Sequence, residues 1–129
     1  MGQDRFDAGL QLRKQVLGAD YVERSMAGAD DFSRPMQELS TEYCWGYVWT
    51  RPGLALRDRS LINLAMISAL NRPHELKLHV KAALNNGVTR EEIREVLLQV
   101  AVYCGVPAGI DSVRLAREAF AEIEQAKSG

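Results

Sequence analysis

Apolar residues recur along this chain at the three- and four-residue spacing of an α-helix, and glycine or proline interrupts the pattern at short intervals. No run sustains the period-two alternation of a half-buried strand, and β-branched residues are scattered. The pattern predicts an all-α chain. A first helix is predicted over residues 5–17, with Phe6, Leu10, Leu12 and Val16 as its apolar stripe and Gly18 as its stop. A short helix over residues 20–26 follows, ended by Gly28. The next begins near Asp31 or Ser33, takes Pro35 into its first turn, carries Met36, Leu39 and Tyr43 on one face, and ends near Gly46. Thr50-Arg51-Pro52-Gly53-Leu54 reads as a turn.

Residues 58–70 form a strongly apolar helix, read as buried on most sides, either at the centre of the core or across a subunit interface. Pro73 opens a helix that runs to about residue 85 and closes at Gly87. Thr89 with Glu92 is a capping box for a helix through residue 103. Gly105-Val106-Pro107 breaks it, and a last helix covers about residues 108–126. The expected fold is a single-domain helical bundle of five to seven helices over residues 1–129.

Composition removes several classes of function. The 129 residues carry 16 basic and 17 acidic side chains, a formal charge of −1, which argues against nucleic acid or an anionic membrane as partner. No stretch approaches the roughly 18 consecutive apolar residues of a membrane span. Residues 1–7 show no secretory leader, so a cytoplasmic setting is expected. Cys44 and Cys104 lie far apart with no neighbouring His or Cys, so neither a zinc site nor a disulfide framework is indicated; each reads as a buried small hydrophobe.

Two groups of residues carry chemistry. Arg72, Glu75 and His79 fall at relative positions 0, 3 and 7, one face of a helix. A carboxylate one turn before an imidazole favours imidazolium, so His79 could store a proton and donate it. The same Glu75 would also be favoured in a first turn by the helix dipole alone. His74 points about 100° away and reads as surface. The second group is Glu42 to Arg59. It holds Trp45 and Trp49, both tryptophans of the chain, followed by Arg51, Arg57 and Arg59. Aromatics beside arginines could line a pocket for a planar anion, because guanidinium grips carboxylates in bidentate fashion. They could equally be a structural aromatic cluster with solvated arginines.

The stretches Trp45–Leu54, Arg57-Asp58-Arg59-Ser60-Leu61 and Asn71–His79 together resemble the carboxymuconolactone decarboxylase family. Asn86-Gly87-Val88-Thr89, Glu91-Glu92-Ile93 and Tyr103–Ala108 continue the likeness, which spans about residues 32–120. The wider superfamily includes alkylhydroperoxidase-D-like proteins, whose CxxC precedes the family histidine by four residues. Here His79 matches that histidine, but the two thiol positions hold Arg72 and Glu75, and an earlier family Glu falls on Ser60. A thiol peroxidase needs a dithiol that cycles through a disulfide. The resemblance therefore implies the decarboxylase branch, on the alkylhydroperoxidase-D-like fold.

It further implies cofactor-independent loss of CO2 from 4-carboxymuconolactone, giving the β-ketoadipate enol-lactone in protocatechuate breakdown. No metal or organic cofactor is implied, and a homo-oligomer, a hexamer built from dimers, is. A related protein with another lactone or keto acid as substrate, or a non-catalytic small-molecule-binding oligomer, would carry the same signature. The lactone supplies its own electron sink: electrons left by CO2 pass through the ring double bond to the carbonyl oxygen. The protein must hold two carboxylates, stabilise the oxyanion and protonate a ring carbon. His79 is the candidate acid or oxyanion donor, Glu75 its orienting partner and Glu42 a second acid/base. Arg51, Arg57 and Arg72 are carboxylate-binding candidates, and Trp45 and Trp49 candidate apolar walls.

Overall fold

Glycine, proline and one left-handed asparagine set most of the element boundaries. The computed structural model describes residues 2–128, and every regular element among them is helical. The order is α1 (Gly2–Leu17), α2 (Ala19–Ala27), α3 (Arg34–Leu39), a π-helix (Ser40–Trp49), α4 (Leu56–Ala69), α5 (Pro73–Asn85), α6 (Arg90–Cys104) and α7 (Val106–Ser128). The all-α expectation holds. The chain divides into two compact units, one ending at Ala55 and the other starting at Leu56.

In the first unit, Gly18 stops α1 with φ +97° and donates its N–H to the Lys14 carbonyl at 2.8 Å. Asp30 and Ser33 exchange side-chain-to-backbone hydrogen bonds of 2.9 and 3.0 Å, and Pro35 enters the first turn of α3. The helix predicted to end near Gly46 instead widens into a π-helix and continues to Trp49. α1 packs on this π-helix through two glycines. A Cβ on Gly9 would lie 2.2 Å from the Thr41 carbonyl oxygen, and one on Gly46 would lie 2.2 Å from that of Arg5. The buried face of α1 is consequently Gly9, Arg13 and Val16 rather than the predicted apolar stripe; Phe6, Leu10 and Leu12 are only half-buried. Arg13 Nη1 donates to Gln37 Oε1 at 3.0 Å and to Thr41 Oγ1 at 3.1 Å.

The second unit follows its apolar pattern more closely. Leu64, Leu76, Val80, Ala83, Val88, Ile93, Leu97, Leu115, Ala116 and Ala119 form one buried cluster from α4 to α7. Asn71 takes φ +57° at the corner between α4 and α5, and Gly87 takes φ +92° after α5. The capping box is present: Thr89 Oγ1 accepts from the Glu92 N–H at 3.1 Å, and Glu92 Oε1 accepts from the Thr89 N–H at 2.9 Å. Gly105 alone ends α6, and Val106 and Pro107 already belong to α7, two residues earlier than predicted. Lys77 and Lys81 on α5 pair with Glu122 on α7.

α4 corrects the expectation of burial on most sides. Only Ser60, Leu64 and Ser68 are buried, whereas Ile62, Met66 and Leu70 are 44%, 50% and 62% exposed. The face with Ser60, Leu64 and Ser68 packs on the core, and the opposite face, with Ile62 and Met66, is open. No helix among the described residues is long and apolar enough to cross a membrane.

Candidate active site

α5 begins at Pro73 because proline lacks the N–H that a first turn leaves unpaired and has the right φ in advance. Its buried face is Leu76, His79, Val80, Ala82 and Ala83. His79 therefore occupies a core phase of the helix and is 7% exposed. Taking an imidazolium out of water is costly, so burial pushes the imidazole pKa from 6.5 down to about 4. At neutral pH the ring is uncharged.

Glu75 does not counter this. It is exposed, and it makes no hydrogen bond or ion pair among the described residues. The spacing places Glu75 and His79 one turn apart, as predicted. It does not place them in one environment, because the turn before His79 enters the core at Leu76 rather than at Glu75. The expected carboxylate-stabilised imidazolium is replaced by a neutral imidazole held by desolvation. His74 is exposed, as its helical phase requires.

The candidate arginines have separate surroundings. Arg57 pairs with Glu92 of the capping box. The Thr89 N–H and then the Arg57 guanidinium hold the Glu92 carboxyl below the usual carboxylate range. Arg57 thus ties the start of α4 to the start of α6. Arg72, exposed, lines a cavity of about 220 Å³ with Ser68, Asn71, Asp111, Ser112 and Arg114, and His79 is not among its walls. Arg51, in the first unit, lies with its guanidinium carbon 5.3 Å from the Tyr47 ring centroid.

The π-helix presents Trp45 and Trp49 as a stacked pair, with centroids 4.7 Å apart and planes at 29°. Both indoles are buried, at 3% and 4% exposure, and Glu42 is half-buried on the turn before them. Thr41, Trp45 and Trp49 take the inner face at four-residue spacing. Cys44 is left on the outer side, and Cys104 is the last residue of α6, beyond its buried Val100. Both cysteines are exposed, contrary to the expectation that they are buried small hydrophobes.

Sequence reasoning did not single out Ser68, Ser112 or Arg114 as site residues. A signal existed for Ser68, a hydroxyl recurring at the buried phase Ser60, Leu64, Ser68 inside an apolar run. No group of three or more His, Cys, Asp or Glu side chains that could hold a metal gathers among the described residues.

Residues 34–118 match the family model for carboxymuconolactone decarboxylases. The chain belongs to the carboxymuconolactone decarboxylase family. It is 51% identical over 108 residues to the nitrosuccinic acid decarboxylase of Metarhizium robertsii, covering 84% of this chain and 76% of that protein. It is 39% identical over 121 residues to the 4-carboxymuconolactone decarboxylase of Acinetobacter baylyi, covering 94% of this chain and 90% of that protein. These decarboxylase relatives support a carboxy-lyase. They differ in substrate, so membership of the carboxymuconolactone decarboxylase family leaves the choice of acid to the site's chemistry.

Proposed function

We propose that this protein removes CO2, without a cofactor, from a succinate-like dicarboxylate whose reacting carbon bears an electron-withdrawing group. The acids named by the two relatives share that plan. In nitrosuccinic acid one carbon carries the leaving carboxylate, a carboxymethyl arm and a nitro group. In 4-carboxymuconolactone one ring carbon carries the leaving carboxylate, a carboxymethyl arm and, through a double bond, the lactone carbonyl. When the carbon–carboxylate bond breaks, its electron pair moves to the nitro oxygens or to the lactone oxygen. Protonation on carbon completes the reaction.

The observation that carries the proposal is the buried, neutral His79. A neutral imidazole N–H donates a hydrogen bond to the oxygen that gains charge, in a setting dry enough to make that bond strong. Glu42 is proposed as the acid/base for the carbon proton. Arg51 is proposed to hold the carboxymethyl arm, which does not react, since a tight grip on the leaving carboxylate would oppose its neutralisation to CO2. Trp45 and Trp49 are proposed as apolar walls. Glu75 is not required by this reading, and Arg57 serves the α4–α6 tie.

The higher identity puts nitrosuccinic acid first among substrates to try. A second reading, 4-carboxymuconolactone, is supported by the alignment that covers more of both chains. The test is to incubate the purified protein with each acid and follow CO2 release. Release from either one, lost in His79→Ala, is the expected result; no release from both overturns the proposal. Arg51→Ala should raise KM and leave kcat nearly unchanged; a loss confined to kcat would remove Arg51 from the carboxymethyl role.

We also propose a homo-oligomer, as the family resemblance implies. Ile62 and Met66 on α4 and Leu70 just after it, with Leu98 and Val102 on α6, leave apolar side chains open to solvent in the single chain. A monomer by light scattering would refute it.

A further inference from the structure

We propose that the cavity at the corner of α4 and α5 is a binding site for a small monocarboxylate, separate from His79. It holds about 220 Å³ and is built entirely within the second unit, from the end of α4, the Asn71–Pro73 corner, Leu76 and one stretch of α7. Three features point to an anionic ligand with a carbon body.

Arg72 makes no side-chain hydrogen bond or ion pair among the described residues, so its five N–H donors are open to a ligand. Arg114 lines the cavity from α7, already holding Glu118 at 2.8 Å through Nη1 and reaching Asp111 at 4.0 Å through Nη2. Arg114 is already shared between Glu118 and Asp111, so Arg72 is the guanidinium left for a ligand, and one guanidinium matches one carboxylate better than a phosphate dianion.

The second feature is Ser68. It is 2% exposed, and its Oγ, buried, has no hydrogen-bond partner. An unpartnered buried hydroxyl costs stability, and a ligand oxygen reaching it would remove that cost. Ser112, also 2% exposed, adds a second hydroxyl from α7. The third feature is the apolar wall of Ile67, Leu76 and Leu115, which suits a short carbon chain rather than a bare inorganic ion.

This site does not depend on the decarboxylase reading, and its test involves no turnover. The full-length protein, labelled with 15N, is titrated with sodium propanoate at constant ionic strength, with sodium chloride and inorganic phosphate as parallel arms. Saturable shifts are expected for the amides of Asn71, Ser112 and Arg114 and for the Arg72 side-chain N–H, with phosphate at least tenfold weaker. Arg72→Gln should weaken propanoate at least tenfold with an otherwise unchanged spectrum. Arg114→Gln, a change at an exposed ion pair, should weaken it less. Shifts that rise linearly and equally in all three salts overturn the proposal, as does saturation unchanged in Arg72→Gln. Phosphate binding as tight as propanoate overturns the carboxylate assignment.

Discussion

The two compact units hold themselves together by different means. The second, from Leu56 on, is an aliphatic cluster that four helices share through residues spaced as their sequence spaces them. The first, up to Ala55, brings α1 and the π-helix into backbone contact at Gly9 and Gly46, and buries Arg13 among Gln37 and Thr41. In one unit side chains fill the space between helices. In the other the absence of side chains lets the backbones meet. The difference also separates the proposed chemistry: His79 sits in the aliphatic unit, where burial decides its charge, while the tryptophan pair sits on the π-helix.

The largest expected effect tests whether the aliphatic unit carries the reaction. His79→Ala should reduce CO2 release by roughly 100- to 1,000-fold, the usual loss for one oxyanion donor. Circular dichroism should show the helices retained; near-normal turnover would move the chemistry elsewhere.

The next effect concerns stability. The folded pKa of His79, about 4, lies below its ordinary 6.5, so between those values the unfolded chain binds a proton that the folded chain refuses. Stability from this group is complete above pH 6.5 and falls as the pH drops toward 4. Urea unfolding should show the natural protein losing about 3 kcal/mol more over that interval than His79→Gln. An equal loss in both would mean that the imidazole is not desolvated.

Gly46→Ala probes the other unit. Its Cβ would meet the Arg5 carbonyl at 2.2 Å, and a backbone atom cannot swing aside as a flexible side-chain end can. A loss of about 1–3 kcal/mol is expected from overpacking. No loss in thermal or urea unfolding would show that α1 does not approach the π-helix so closely. The smallest effect returns to the aliphatic unit, where Thr89→Ala should cost about 1 kcal/mol by removing one half of the capping box.

The same contrast explains what was legible in the sequence. The all-α class, the helices after residue 56 and the Thr89 capping box could be read because Leu, Val and Ile recur at helical spacing and turn residues punctuate them. The inner face of α1 could not, because it is made of Gly9, Arg13 and Val16, and only one of these is apolar. The π-helix also escaped, since an aromatic-rich stretch has the same period-four pairs in an α-helix and in a wider turn. Within the candidate site, the position of His79 on α5 was legible. Its charge was not: spacing shows Glu75 one turn away, whereas the pKa follows from which of the two the fold takes out of water. Arg57 looked like a ligand for a substrate carboxylate, and the fold assigns it a carboxylate of its own, Glu92.

The proposed chemistry needs His79 to be a dry, uncharged ring before substrate arrives. The most direct measurement is an NMR titration of the full-length protein labelled at histidine, following the His79 ring nitrogens from pH 8 to the acid limit of folding. A midpoint near 4 is the result predicted. A midpoint at or above the ordinary 6.5 would contradict it, and would return His79 to the role of a charged proton donor.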